Sequence, residues 1–168
     1  MGALAFVDKR TGKGMMVKSV GGYQITSANT IHGRNGMFTR GLSSCFAVAV
    51  IGPGGTIFAH VSAYLGHPRL NSREQAELDA MKKGFAALYK TNKAALDPCT
   101  VAIVDGGYTD PSQRQSLMNL IFPQLHSVPH IVYFACEKTP LERHAGHGTV
   151  VVMLEPSNKL YVEDKPKL

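Results

Sequence analysis

The chain has 168 residues, which is the length of one ordinary globular domain. Hydrophobic residues make up 44% and charged residues 18%, a balance that excludes a disordered or fibrous protein. The formal net charge is +6, but the lysines and arginines are scattered, so the charge does not predict a specific nucleic-acid interface. We expect a single domain that spans residues 1–168.

The sequence favours a cytoplasmic protein with reduced thiols. No apolar run approaches the roughly 18 residues that would span a bilayer, and charged residues at 8–10 interrupt the region where a secretory signal would be apolar. The three cysteines, Cys45, Cys99 and Cys136, are too few and odd in number for a disulfide framework. We therefore expect a cytoplasmic protein, and delivery as an effector is compatible with the same features.

Short apolar runs broken by turn residues predict two hairpins in the first third of the chain. The first would pair residues 15–20 with residues 23–28. A loop rich in Asn, Gly and Arg is expected at 29–40. The second hairpin would pair 45–51 with 56–62 around the Gly-rich turn at 52–55, and it is the clearest hairpin in the sequence.

Two helices are predicted from their starting signals. Ser72 followed by Gln75 resembles a capping box, and apolar residues repeat at helical spacing from there until Thr91. Asp110 followed by Pro111 predicts a second helix, which should end before Pro123. Further strands are expected at the following positions: 100–105, 130–136, 148–155 and 159–163, the last two joined by a turn at 156–158.

These eight strands and two helices predict an α/β fold. Hairpins outnumber strand–helix–strand units, which argues against a doubly wound parallel sheet. We expect a single layered domain with mixed or antiparallel sheets, a sandwich-like core and two main helices that flank it.

The second hairpin brings two reactive side chains together. If Ile51 pairs with Thr56, then Cys45 lies opposite Ser62 and diagonal to His60 on the same face, about 7 to 8 Å apart at the backbone. The opposite face would be wholly apolar: Phe46, Val48, Val50, Ile57, Ala59 and Val61. The pairing therefore predicts a thiol and an imidazole at the open end of the hairpin.

A Cys–His pair is suited to nucleophilic catalysis. A free thiol has a pKa of about 8.5 and is only slightly ionised at neutral pH, so a neighbouring imidazole activates it by forming an ion pair. Ser43 and Ser44 precede Cys45 and supply backbone N–H groups for an oxyanion or substrate site. The Thr39 hydroxyl would orient the imidazole or bind a substrate amide.

Simpler interpretations compete with this hypothesis. Among three cysteines and seven histidines, a pair on one face can arise by chance, so Cys45 and His60 would also fit a structural role. Cys99 and Cys136 lie in or beside apolar strands and are expected to be inert. His144 and His147, with Cys136 upstream, have the ligand types that zinc prefers, which keeps a metal site open as an alternative.

The segment from Thr39 through Gly41-Leu42 and Ser44-Cys45, followed by an apolar strand, a Gly turn and Ala59-His60, resembles the chemoreceptor glutamine deamidase family, CheD. The resemblance covers roughly residues 39–162 and depends on this one motif. The chain also resembles the toxin deamidases of the cytotoxic necrotizing factor and Burkholderia lethal factor types. The Leu-Ser-Gly-Cys motif of the lethal factor type corresponds to residues 42–45, with Ser44 in place of the glycine.

The resemblance implies a CheD-like fold and a cysteine-dependent protein glutamine deamidase with catalytic Cys45, His60 and Thr39. It implies a protein substrate that carries a target glutamine, and no cofactor is expected. The scattered charges and the absence of a long apolar run predict no specific nucleic-acid partner and no membrane partner. Transglutamination, a papain-like amidase or peptidase activity, and a non-catalytic partner- or ligand-binding domain of the same fold are the alternatives.

Overall fold

A computed structural model describes residues 3–8, 14–18, 26–31, 34–39, 41–137, 148, 150–153, 159–163 and 165–168. Within these residues, eleven strands form two sheets. The strands are β1 (Ala3–Asp8), β2 (Gly14–Lys18), β3 (Thr26–Ile31), β4 (Arg34–Thr39), β5 (Phe46–Ile51), β6 (Gly55–Val61), β7 (Thr100–Asp105), β8 (Ile131–Ala135), β9 (Val150–Met153), β10 (Lys159–Val162) and β11 (Lys165–Pro166). The helices are α1 (Ser72–Thr91), α2 (Lys93–Leu96) and α3 (Pro111–Ile121).

The first sheet is mixed and has the order β2-β1-β6-β5-β7-β8. Its neighbouring strands are antiparallel except β7 and β8, which are parallel and are connected through α3. The second sheet is antiparallel and has the order β11-β10-β9-β4-β3. The predicted α/β class with mixed and antiparallel sheets is therefore correct.

The β5–β6 hairpin has the predicted register. Ile51 pairs with Thr56, and Ala47 pairs with His60. The turn is closed by a hydrogen bond of 2.9 Å from the Gly52 N–H to the Gly55 carbonyl. Because side chains alternate along a strand, this register decides which residues of the hairpin reach each face of the sheet.

Two apolar clusters lie on opposite faces of the first sheet. The face of β5 and β6 that was predicted to be wholly apolar packs against buried side chains of α1 and α3, including Met81, Phe85 and Leu117. The other face packs against the second sheet in a cluster of buried residues that includes Met37, Ala47, Ala49, Phe58, Val152 and Leu160. The described residues thus form three layers, helices, sheet and sheet, which agrees with the expected sandwich-like core beside two main helices.

Helix α1 begins one residue earlier than predicted. The N-cap is Asn71, whose side-chain oxygen accepts a hydrogen bond of 2.8 Å from the Glu74 N–H, while the Glu74 carboxylate accepts one of 2.9 Å from the Asn71 N–H. Asn is as good a cap as Ser, and the glutamate completes the capping box at the earlier position. Helix α3 has the predicted cap at Asp110 and ends at Ile121, before Pro123.

The predicted hairpin between residues 15–20 and 23–28 is wrong. β2 pairs with β1 in the first sheet, whereas β3 pairs with β4 in the second. The predicted loop at 29–40 is also wrong, since β4 is an inner strand bonded to both β3 and β9. Its Asn, Gly and Arg content suggested a loop, but pairing with two neighbouring strands overrides such local preferences.

Some sequence predictions lie outside the described residues, among them the turn at 156–158. None of the helices within the described ranges is both long and apolar enough to cross a bilayer.

Candidate active site

The two sheets meet at a hydrogen bond between Thr39 and His60. Oγ1 of Thr39 lies 2.7 Å from Nδ1 of His60, and both residues are fully buried. Thr39 ends β4 and pairs with Val150 of β9, so its position is fixed by the second sheet. His60 is on β6, between β1 and β5 of the first sheet. The contact joins residues that are 21 positions apart and on different layers.

Cys45 lies on the same face as His60. It directly precedes β5, is partly exposed and packs against the apolar cluster between the two sheets. Ala47, two residues later, is directly opposite His60, so Cys45 and His60 occupy diagonal positions about 7 to 8 Å apart at the backbone. The register therefore places the predicted thiol and imidazole at the same end of one face.

Burial controls the protonation of His60. Removal of the imidazole from solvent lowers the pKa of His60 from 6.5 to about 4, because the charged form loses its hydration. His60 is consequently neutral at neutral pH. A resting thiolate–imidazolium pair, which the sequence suggested, requires the protonated form that burial disfavours.

The turn before Cys45 is held by the loop that follows β7. The Ser43 carbonyl accepts a hydrogen bond of 2.9 Å from the Tyr108 N–H. The Cys45 carbonyl accepts two, one of 2.9 Å from the Gly106 N–H and one of 2.8 Å from the Thr109 hydroxyl. Three contacts from one loop therefore fix the backbone on both sides of Ser44.

Gly106 allows the two segments to approach. A Cβ atom at this position would lie 2.2 Å from the Ser43 carbonyl oxygen and 2.7 Å from the Ser43 nitrogen, which is closer than any side chain tolerates. The Asp-Gly-Gly sequence at 105–107 is typical of a tight turn at a strand end, but no sequence pattern indicates which segment that turn contacts. The structure shows that its first glycine is needed for contact with the turn before Cys45.

Ser44 is exposed at the tip of this turn. The C=O and N–H groups of a trans peptide point in opposite directions, so the Ser44 N–H points away from the loop to which the Ser43 carbonyl is bonded. Ser44 stands where the lethal factor type motif has glycine. Its φ is in the ordinary negative range, because Glu163 is the single non-glycine residue with a positive φ in the described part of the chain.

The other two cysteines have the character expected of inert thiols. Cys136 is buried, and loss of solvent together with the nearby Glu163 carboxylate raises its pKa to about 12. Burial also raises the pKa of Cys99. Cys99 precedes Thr100, which pairs with Ile51 at the far end of β5, so it lies at the opposite end of the strands from Cys45.

The zinc alternative receives no support from the described residues. His144 and His147 lie outside them, and no group of three or more His, Cys, Asp or Glu side chains suited to a metal ion occurs within them.

Four residues that hydrogen-bond to the segment 42–45 were not predicted to do so: Gly106, Tyr108, Thr109 and Gly148. Each contact joins segments that are distant in the sequence. A local pattern carries no signal for such contacts, apart from the glycine pair that ends β7.

No protein-family model matches this sequence, and a search of the curated proteins finds no match to it. Function is therefore inferred from the geometry of the site and from the motif around Cys45.

Proposed function

We propose that the chain is a cysteine-dependent protein glutamine deamidase, which converts a side-chain amide of a substrate protein to a carboxylate. The observation that carries this proposal is the hydrogen bond between Thr39 and His60, on the same face as the partly exposed thiol of Cys45. A nucleophile, a base and a group that orients the base are the parts that thiol-dependent acyl transfer needs. The motif resemblance assigns the same three residues to these roles.

The neutral state of His60 supports activation of the thiol during attack. The mechanism uses the tautomer in which the Nδ1–H of His60 donates to Oγ1 of Thr39, so that Nε2 accepts the Cys45 proton as the sulfur bonds to the amide carbon. The proton then passes to the departing nitrogen, the C–N bond breaks, and ammonia leaves a thioester. Water attacks the thioester carbon, gives a proton to His60 and leaves the acid, and the thiol is restored when the C–S bond breaks.

The turn before Cys45 supports binding of the negative charge that develops on the amide oxygen. The Ser44 N–H points away from the loop after β7 and belongs to an exposed residue. A fixed backbone donor beside the reacting carbon stabilises the oxyanion without reorganisation during the reaction. In this mechanism Ser43 and Ser44 contribute through their backbone and not through their hydroxyl groups.

The test is mass spectrometry of cell-extract proteins incubated with the wild-type enzyme and with Cys45→Ser, together with assay of released ammonia. We expect glutamine-to-glutamate conversion with the wild type and a loss on the order of a thousandfold or more with Cys45→Ser, since the nucleophile is removed. Cys99→Ser is the matched control, because it removes a partly exposed thiol at the other end of the strands. It should retain the wild-type rate.

The same experiment separates the alternatives. New peptide termini would indicate a peptidase, and glutamine cross-linked to an amine would indicate transglutamination. Equal ammonia release by the wild type and Cys45→Ser from a proven substrate would refute the mechanism. Absence of any Cys45-dependent product across extracts of diverse origin would favour a binding domain.

A further inference from the structure

We propose that Glu163 is a positioning residue for the turn at 43–45, because its carboxylate holds Gly148 and Gly148 in turn holds Leu42. The inference uses the proposed function only in taking Cys45 as the reactive thiol. It concerns a side chain more than 100 positions away in the sequence, near the carboxyl end of the chain.

The Glu163 carboxylate joins the two sheets. It accepts a hydrogen bond of 2.6 Å from the Glu137 N–H, directly after β8 and Cys136. Its other oxygen accepts one of 3.3 Å from the N–H of Gly148, which precedes β9. The buried Cys136 thiol lies near this carboxylate, which contributes to the raised pKa of the thiol. A buried carboxylate that accepts hydrogen bonds from two fixed backbone donors is held in one orientation.

The backbone of Glu163 is unusual. Its φ is 50°, in the left-handed region that favours glycine, and the residue is only 9% exposed. A bulky side chain in this conformation is strained and persists where other interactions determine it. The hydrogen bonds of the carboxylate provide those interactions.

Gly148 connects Glu163 to the residue that precedes the turn at 43–45. Its carbonyl accepts a hydrogen bond of 3.2 Å from the Leu42 N–H. Its φ is +66°, and a Cβ atom there would lie 2.5 Å from the Leu42 carbonyl oxygen. Leu42 is fully buried in the cluster between the sheets, so it cannot shift without disturbing that packing. Ser43, Ser44 and Cys45 follow directly.

The turn at 43–45 is therefore held from two sides. The loop after β7 binds the carbonyls of Ser43 and Cys45, and Gly148 fixes the residue before them. Loss of the Glu163 carboxylate would free Gly148 and weaken its hold on Leu42. The hydrogen bonds from the loop after β7 would remain. The expected result is a folded protein in which the Ser44 N–H is misplaced relative to the sulfur.

The test measures modification of the Cys45 thiol in a Cys99→Ser background by two reagents, one that alkylates the sulfur with loss of iodide and one that forms a mixed disulfide with loss of 4-thiopyridone. Iodoacetamide carries a primary amide like that of glutamine, whereas 4,4′-dithiodipyridine has none. Glu163→Gly removes the carboxylate without backbone strain, and Glu163→Gln keeps the shape but directs an amide nitrogen at one of the two N–H donors. Asp79→Asn is the control, because it removes an exposed carboxylate of α1 that takes no part in these contacts.

We expect both Glu163 variants to react with iodoacetamide about tenfold more slowly than the parent, the effect of losing one charge-assisted hydrogen bond. The dithiodipyridine rate should change less than twofold, as should both rates in Asp79→Asn. A merely structural role would lower both rates together or neither. If Glu163→Gly does not fold, Glu163→Gln decides.

Unchanged iodoacetamide rates in a Glu163 variant with the parent melting temperature would overturn the inference, as would equal changes with both reagents. The thiol-modification assay is independent of deamidation. If Cys45→Ser still deamidates substrates while the Glu163 variants behave as expected, the proposed function fails and the positioning role stands.

Discussion

At the scale of single residues, the protonation state of the buried His60 links the site to the free energy of unfolding. Its pKa is about 4 in the folded protein, below the value of 6.5 expected after unfolding, so the unfolded chain binds more protons between these values. The contribution of neutral His60 to the free energy of unfolding is fully present above pH 6.5 and is lost as the pH falls towards 4. We expect His60 to account for a decrease of roughly 3 kcal/mol in the free energy of unfolding over this range.

Urea denaturation at intervals from pH 7 to pH 4, in wild type and His60→Gln, checks this expectation. Carboxylates also titrate in the acidic part of this range, so the informative quantity is the difference in slope between the two proteins. His130→Gln serves as the control, since His130 is exposed. Identical slopes for wild type and His60→Gln would show that His60 is not buried in the neutral form.

The sequence revealed part of the site for a physical reason. Cys45 and His60 belong to one hairpin, whose alternating pattern and Gly-rich turn define both register and face. The Thr39 hydrogen bond joins two sheets, and no periodicity reports such a contact. Thr39 was predicted as a site residue from its side-chain chemistry and from the resemblance, without any sign in the sequence that it contacts His60. The Glu163 contacts are of the same kind, and nothing in the local sequence pointed to them.

At the scale of elements, the strand-end turn at Gly106 is predicted to be essential. We expect Gly106→Ala to slow alkylation of Cys45 by at least about tenfold, because the new methyl group would overlap the Ser43 backbone and displace the turn. Gly54→Ala is the comparison. There the Cβ would lie 3.1 Å from Ala95, at the opposite end of the β5–β6 hairpin.

Both glycine variants should lower the melting temperature, but only Gly106→Ala should change the reactivity of Cys45. Iodoacetamide labelling followed by peptide mass spectrometry measures that reactivity. If Cys45 in a folded Gly106→Ala protein were labelled at the rate of the parent protein, the turn at 43–45 would have adapted to the added methyl group, and the prediction would be wrong.

Elements with strong local signals were predicted well. α3 has a capping residue, a proline at its first position and a proline after its end, and these signals act within the segment itself. β3 and β4 lack such signals. β4 pairs with β9, more than 100 residues away, and the Asn and Gly content that suggested a loop is outweighed by hydrogen bonds on both sides of β4.

At the scale of the whole molecule, the first sheet is shared by both cores. Its strands β5, β6 and β7 bury one face against the helices and the other against the second sheet. Strands that are covered on both faces read as continuous apolar runs, which is why 45–51 and 100–105 could be assigned as strands without indicating how many layers lay on each side.

This shared sheet predicts one cooperative unfolding transition. We expect Leu160→Ala in the second sheet and Met81→Ala in α1 each to lower the free energy of unfolding by about 2–5 kcal/mol, since both side chains are fully buried and their truncation leaves a cavity. Circular dichroism and labelling of the buried Cys136 thiol, followed through a urea titration, should give the same midpoint in each variant. If Cys136 became accessible in Leu160→Ala at a lower urea concentration than the loss of helix signal, the second sheet would unfold separately, and the Thr39–His60 contact would be lost before the rest of the fold.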